Sequence, residues 1–352
     1  MPAVGGSFFL RSDIEGGLRA GRPSVRDVLP EWKKGAIVQQ DGAAPRQPAI
    51  GMVTGFYNQP MSAPLNAAPP VASSFLFHGQ PAWQMALPGG DRVVVAAQGA
   101  QVLSWTTADG TERLFLSPRS VFDGHTAIRG GVPVCFPQFN QRGPLPKHGF
   151  ARNLPWQLSG CGEAADGQGR FLRLSLADSE VTRRWWPDQA FAAELAVTLR
   201  PGALRVELSA HNPGTTAWDF TAALHTYLRV DDIATVRLEG LDGCACWDAV
   251  ADTHGVQQGP VSFEGEYDSV FAAAPAPLQV QPAAGGRLSI AQGAEWGNTV
   301  VWNPGATRCA ALADMPADGY RHMLCVEAAC IDRPVAMAPG ARWSGWQQLQ
   351  VL

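Results

Sequence analysis

From about residue 80 onward the chain is a succession of short apolar runs, mostly too short and too regularly interrupted to hold a helix. Examples are DRVVVAAQGAQVLSW (91–105), RFLRLSLADS (170–179), FTAALHTYLRV (220–230), ATVRLEGL (234–241), GRLSIAQG (286–293) and WGNTVVWNP (296–304). They are rich in Val, Leu, Thr and aromatic residues and are punctuated by Gly, Pro, Asn or Asp, the pattern of strands separated by turns. AELAVTLRPGALRVELSAHN (193–212) reads as a hairpin, two alternating strands joined through Pro201–Gly202. Many short strands without intervening helices specify a sandwich or barrel. The expected fold is all-β, a large antiparallel β-sandwich over residues 76–352. No repeat of fixed period divides it.

Residues 1–75 lack this pattern. They are rich in Gly, Pro, Ala and Gln, end in the proline-rich SAPLNAAPPVASS (62–74), and predict a poorly ordered extension with at most a short helix around 26–32. Met61 stands just ahead of the patterned region as a candidate start. A hydrophobic content of 46% in 352 residues is ample for a large core. With a net charge of −4, nucleic acid is not expected as a partner, so a basic cluster here is local and suited to something small. The apolar runs fall short of the roughly 18–20 residues of a membrane helix, and the N-terminus has no secretory pattern. A cytoplasmic monomer is expected. The seven cysteines, an odd number, read as reduced thiols. Cys244-x-Cys246 and Cys325-x4-Cys330 lack a second pair at zinc-like spacing, so no metal is expected, and no phosphate-binding or dinucleotide motif occurs.

The candidate chemical residues lie in three segments. In the strand TAALHTYLRV, Thr221, Ala223, His225, Tyr227 and Arg229 share one face, with an apolar face behind them. His225 is either a hydrogen-bonded structural group or a proton donor flooring a cleft, and the strand alone does not choose. In HMLCVEAACI (322–331), Glu327 is the only charge inside an apolar strand. An unpaired carboxylate there is costly, and burial raises its pKa, so it is either salt-bridged or poised as a general base. In IRGGVPVCFPQFN (128–140), Gly130–Gly131 lets the backbone bend closely after Arg129, whose planar fork suits a phosphate or carboxylate. Downstream, GPLPKHGFARNLPW (143–156) concentrates Lys147, His148 and Arg152 in a stiff loop, so an anion site forms if these cations converge with Arg129. Trp185–Trp186 could stack on a sugar or a base, or pack at an edge.

The blocks IRGGVPVCFPQF, LPKHGFARNLPW, LHTYLRV, EYDSVF, VVWNP and CVEAACI…PVAMAPGARWSGWQQL occur in the order found in hexose-6-phosphate mutarotases, the glucose-6-phosphate 1-epimerases of the aldose-1-epimerase superfamily. The chain resembles them over about residues 76–352. The resemblance implies a supersandwich fold that interconverts anomers of a hexose 6-phosphate without cofactor. It makes His225 the general acid and Glu327 the general base, set on opposite sides of a sugar. It places Arg129, Lys147, His148, Arg152 and Asp268 in the substrate-binding set, the cations on the phosphate and Asp268 on sugar hydroxyls. After Glu327 the strand continues EAACI, where the family pattern has a Pro-Gly-like step. Three other readings stay open: a mutarotase of unphosphorylated aldoses, a non-catalytic sugar-phosphate-binding protein, and a glycosidase or lyase using Asp268 as a second carboxylate.

Overall fold

In the computed structural model, which describes residues 71–352 apart from Pro275, the alternating runs become antiparallel strands in three sheets. The expectations for residues 1–70, including the helix near 26–32, the lack of order and a start at Met61, lie outside the described residues. The folded region begins ahead of the expected boundary at residue 76: β1 (Ala72–Phe77) pairs with β2 (Gln80–Ala86), which continues into β3 (Arg92–Ala96) and β4 (Val102–Thr106) to complete a four-stranded sheet. Ser73, Ser74 and Phe75 pair with Gln84, Trp83 and Ala82, so the serines that read as linker are strand residues. Among the described residues, no helix is long and apolar enough to cross a membrane.

The short β5 (Val134–Cys135) is followed by a run of hairpins, β6 (Gln157–Glu163), β7 (Arg170–Ala177), β8 (Ala192–Arg200) and β9 (Ala203–His211). The β8–β9 hairpin closes as the sequence predicts, with Arg200 opposite Ala203 and only Pro201–Gly202 between them. Gly202 has φ +63°, the left-handed conformation that the second corner of a Pro-Gly turn requires. Buried and half-buried residues alternate through both strands, the signature of a sheet with one face on the core and one toward solvent.

Next come β10 (Trp218–Leu224), β11 (Tyr227–Arg229), β12 (Arg237–Glu239), β13 (Ala245–Asp248), β14 (Thr253–Val256), β15 (Tyr267–Ala272), β16 (Leu278–Ala283), β17 (Gly286–Gln292) and β18 (Asn298–Asn303). The chain ends in the long β19 (Met323–Met337) and β20 (Arg342–Val351). One eight-stranded sheet runs β12-β16-β17-β20-β9-β8-β7-β6. The other runs β14-β13-β15-β18-β19-β10-β5, with β11 also paired to β19. Leu195, Val197, Leu204 and Val206 of the first and Leu224, Val301, Val326 and Ala328 of the second meet in one core. Residues 323–331 of β19 are buried on both faces, and Phe115, Phe139 and Met315, all outside the strands, pack in the clusters on the face turned away from that core. Trp185 and Trp186, considered above as a ligand platform, pack inward instead: Trp186 against Phe136, Phe191 and Trp218, and Trp185 against Phe150.

Candidate active site

Register partners in an antiparallel sheet share a face, so the pairing of β19 with its neighbours decides which side chains meet. Tyr227 faces Cys325, Cys325 faces Trp302, and Trp302 faces Asp268, a row across four strands. In the adjacent row Glu327 faces Val300 and Val300 faces Val270. These side chains lie on the side of the sheet opposite the main core. They belong to two small clusters, one with Tyr227, Trp302 and Cys325 and the other with Cys135, Val270, Val300 and Ala329. Glu327 sits between them, 1% exposed.

His225 lies in the short break between β10 and β11, where the ladder is interrupted but its register is not. Leu224 opposes Ala328 on one side and Tyr227 opposes Cys325 on the other, which leaves His225 opposite Glu327. The His225 backbone N–H turns to the Pro133 carbonyl, and Thr226, on the other face, donates to Gln347 Oε1 at 2.5 Å. Gln347 in turn donates to the Val326 carbonyl, so the break is tied to both large sheets. His225 Nε2 lies 3.3 Å from Glu327 Oε1. The imidazole stacks on Tyr227 with ring centres 4.8 Å apart and meets the edge of His148 at 5.5 Å. Among the described residues, neither His225 Nδ1 nor Glu327 Oε2, both buried, has a hydrogen-bond partner. Burial, reinforced by Asp268, pushes the Glu327 carboxyl well above the usual range. Burial together with the charges of Arg129 and Arg152 pushes His225 well below its own. Between them the two groups hold one proton, and their surroundings favour the uncharged arrangement of carboxylic acid and neutral imidazole.

The cations arrive on loops. Gly131 has φ +62°, and a Cβ there would stand 2.0 Å from the Val102 carbonyl oxygen, so only glycine lets this segment pass. That tight passage sets Arg129, whose Nε donates to Asp314 Oδ2 at 3.0 Å and whose Nη1 donates to the Tyr227 hydroxyl at 3.0 Å. Further on, Phe150 stacks on Trp185 and anchors the turn Ala151–Asn153 that carries Arg152. Arg152 Nη2 donates to the Lys147 carbonyl at 2.9 Å, while its buried Nε has no partner among the described residues. Among the described residues neither Lys147 nor Arg152 has a carboxylate within ion-pair distance, whereas Arg129 has Asp314. Desolvation and the guanidinium groups of Arg308, Arg152 and Arg129 lower the pKa of Lys147.

His148 adopts φ +64°, with its N–H donated to the Asn140 carbonyl. Its Nδ1 accepts from the Asn140 N–H at 3.3 Å and lies 3.3 Å from Cys135 Sγ, which leaves Nε2 to carry the proton of the neutral ring. Burial and the neighbouring cations keep that ring neutral. The Asp268 carboxyl is pushed up to about 6 by burial, with Glu266 adding to the effect and Arg308 and Lys147 opposing it.

All the candidate residues therefore gather on one face of the second eight-stranded sheet. Direct contacts join His225 to Glu327 and to His148, Arg129 to Tyr227, and Arg152 to Lys147. Asp268 joins through its register with Trp302 and its electrostatic influence on Lys147 and Glu327. The geometry differs from the expectation of an acid and a base on opposite sides of a sugar, because His225 and Glu327 are cross-strand neighbours. Sequence reasoning also missed Asp314, which sits in a loop far from Arg129 in the chain. It missed Cys325, whose thiol lies with His225 and Glu327 in a set whose ligand atoms are all within 4.8 Å of one another. The available signal was the spacing Cys325-x-Glu327, which puts both side chains on one face of a strand.

The sequence matches the aldose 1-epimerase family over residues 82–350. It is 35% identical over 255 residues, 70% of this chain and 77% of the relative, to a protein of Cenchrus ciliaris named "Putative glucose-6-phosphate 1-epimerase". It is 39% identical over 244 residues, 66% of this chain and 78% of the relative, to an Escherichia coli K12 protein of the same name. The fold matches the crystal structure of "a putative mutarotase" from Salmonella typhimurium with a TM-score of 0.73 and 31% identity, covering 81% of this chain and 95% of that one. A galactose mutarotase-like protein from Clostridium acetobutylicum shares the fold with a TM-score of 0.61 at 13% identity, covering 79% of this chain and 97% of that one.

Proposed function

The chain belongs to the aldose 1-epimerase family and is a sugar epimerase; from that premise we propose that it interconverts the α and β anomers of a hexose 6-phosphate, with D-glucose 6-phosphate as substrate. The observation that carries the phosphate is the pair Lys147 and Arg152, two cations beside the His225–Glu327 pair with no carboxylate of their own among the described residues. An oxyanion bearing about −1.5 to −2 charges near pH 7 supplies the missing partner. The names borne by the relatives point the same way.

Anomerisation moves one proton off O1 and one onto O5, both bonded to C1, so adjacent acid and base groups can serve a single edge of the sugar. In the ionised arrangement of the pair, Glu327 takes the O1 proton as His225 gives its proton to O5, and the ring opens to the aldehyde. That leaves Glu327 protonated and His225 neutral, the arrangement their burial favours. Rotation about C1–C2 presents the other face of the aldehyde, and closure returns both protons, so the pair is restored without exchange with solvent. Arg129, Arg152 and Lys147 oppose a proton on His225. A bound phosphate offsets their charge and so assists formation of the ionised pair. Arg129, held by Asp314 and Tyr227, needs no rearrangement to donate its remaining N–H groups, and orientation fixed in advance lowers the barrier. Asp268 accepts from sugar hydroxyls, and His148 donates from Nε2.

The test is anomer exchange followed by NMR with glucose 6-phosphate and with free glucose, each against the uncatalysed rate. Fast exchange of the phosphate ester and weak exchange of glucose are expected. Equal rates on both sugars would overturn the phosphate assignment.

A further inference from the structure

The acid–base pair has a third buried neighbour that the epimerisation does not use. The Cys325 thiol is 0% exposed and stands two residues before Glu327, on the same face of β19. Its sulfur, a ring nitrogen of His225 and a carboxylate oxygen of Glu327 are mutually within 4.8 Å, and the His225–Glu327 separation is 3.3 Å. Around tetrahedral zinc, with bonds of about 2.0–2.3 Å, neighbouring ligand atoms lie roughly 3.3–3.6 Å apart. The nitrogen and oxygen already match that spacing, and the sulfur is within a small side-chain adjustment of it. Among the described residues His225 Nδ1 and Glu327 Oε2 are buried without partners, so apart from their contact with each other no side-chain hydrogen bond has to be broken for a new ligand. Zn²⁺ accepts imidazole, thiolate and carboxylate alike, and the thiolate is the ligand that favours thiophilic ions over oxygen-seeking ones.

We infer that His225, Cys325 and Glu327 form a binding site for a thiophilic divalent cation, Zn²⁺ or Cd²⁺, whose occupation switches the epimerase off. The ion enters as a substrate does and takes the nitrogen and the oxygen that the reaction needs, leaving its fourth position to water. The exchange balances: from the uncharged pair, one divalent ion displaces the thiol proton and the carboxyl proton, releasing two protons to solvent. The net charge of the buried set is unchanged, so Arg129, Arg152 and Lys147 do not repel the complex more than they repel the protonated residues. Magnesium and calcium, which favour oxygen ligands, are not expected to compete.

The site is tested on the full-length protein with Cd²⁺ and Zn²⁺, using Cys325→Ala and Cys325→Ser. Cd²⁺ titrated without substrate is expected to give an ultraviolet thiolate-to-cadmium band that glucose 6-phosphate suppresses. Zn²⁺ is expected to inhibit exchange competitively and reversibly on chelation. Loss of a supporting group around a metal ligand costs about 10–100-fold in affinity, so loss of the sulfur is expected to raise the inhibitory concentration by about 100-fold or more. Cys161, Cys244 and Cys246 are at least partly accessible, so the wild-type-minus-variant difference isolates Cys325. Inhibition unchanged in either folded variant, or no difference in the cadmium band, would overturn the inference. The appearance of the band in the wild type and its loss in the variants do not depend on which sugar is the substrate, so they separate this site's failure from that of the proposed reaction.

Discussion

The acid–base pair and the cationic loop touch through His148 and His225, yet the chain builds them in opposite ways. His225 and Glu327 project from paired strands at the middle of a sheet, in a register held by the hydrogen bonds on either side. Lys147, His148 and Arg152 ride on a loop whose shape depends on a left-handed residue, a glycine and an aromatic stack. The charges of the pair cancel internally, one proton serving two buried groups. Those of the cations do not: Arg129 is matched by Asp314, and among the described residues Lys147 and Arg152 have no carboxylate of their own. An unmatched, partly desolvated charge is a standing cost to the fold. The region that tolerates that cost is the one awaiting a ligand, and the region that avoids it performs the chemistry.

The contrast breaks most visibly at Glu327. Glu327→Gln keeps the shape of the buried carboxylic acid but cannot accept the O1 proton. Loss of about 10²–10⁴-fold in exchange rate is expected, the range of a single general base, with sugar-phosphate binding and melting temperature retained. A collapse of binding would mean that the carboxylate holds the sugar rather than deprotonating it. Arg152→Gln acts on the other region. A hydrogen bond to a charged group contributes about 1.5–3 kcal/mol, so kcat/KM for glucose 6-phosphate is expected to fall about 10- to 100-fold while exchange of free glucose does not fall, since the lost charge opposed the proton on His225. Millimolar phosphite added with free glucose supplies the anion separately. It is expected to raise wild-type exchange and to leave Arg152→Gln unchanged, because an anion among the cations eases protonation of His225. Equal loss on both sugars would place Arg152 in the acid–base region.

The two regions were unequally legible. The all-β architecture and the Pro201–Gly202 hairpin follow from alternation and turn chemistry, which are local. Glu327 was visible because a lone charge in an apolar strand demands an explanation, and the shared face of His225 and Tyr227 follows from period-two geometry. That His225 opposes Glu327 was not visible, because register between strands about a hundred residues apart is set by the assembled sheet. For the same reason Asp314 gave no sign of its link to Arg129. Cys325 was overlooked because cysteines were weighed against other cysteines rather than against the residues sharing their strand face. The serines at 73–74 read as linker because small polar residues suit an edge strand as well as a loop, and pairing with β2 decides between them.

Asp268 gives the smallest effect and bears on both regions, since it raises the carboxyl of Glu327 and pulls against Lys147. Its own carboxyl titrates at about 6 instead of 3.8. Because the folded-state value is the higher one, the folded protein holds this proton more tightly than the unfolded chain. Burial of the ionised form therefore costs stability above about pH 6, and the cost is relieved as pH falls toward 4. Melting temperature relative to Asp268→Asn is accordingly expected to rise from pH 7 to pH 5. Activity runs the other way, since only the ionised form accepts twice from sugar hydroxyls. The substrate's phosphate titrates near 6 as well, so kcat/KM at pH 6 combines two half-titrated groups, a drop of about fourfold from pH 8. In Asp268→Asn the phosphate alone remains, and the same interval is expected to show about a twofold drop from a lower plateau. An identical pH profile in both proteins would remove Asp268 from the substrate's contacts and assign the whole acid limb to the phosphate held by the cationic loop.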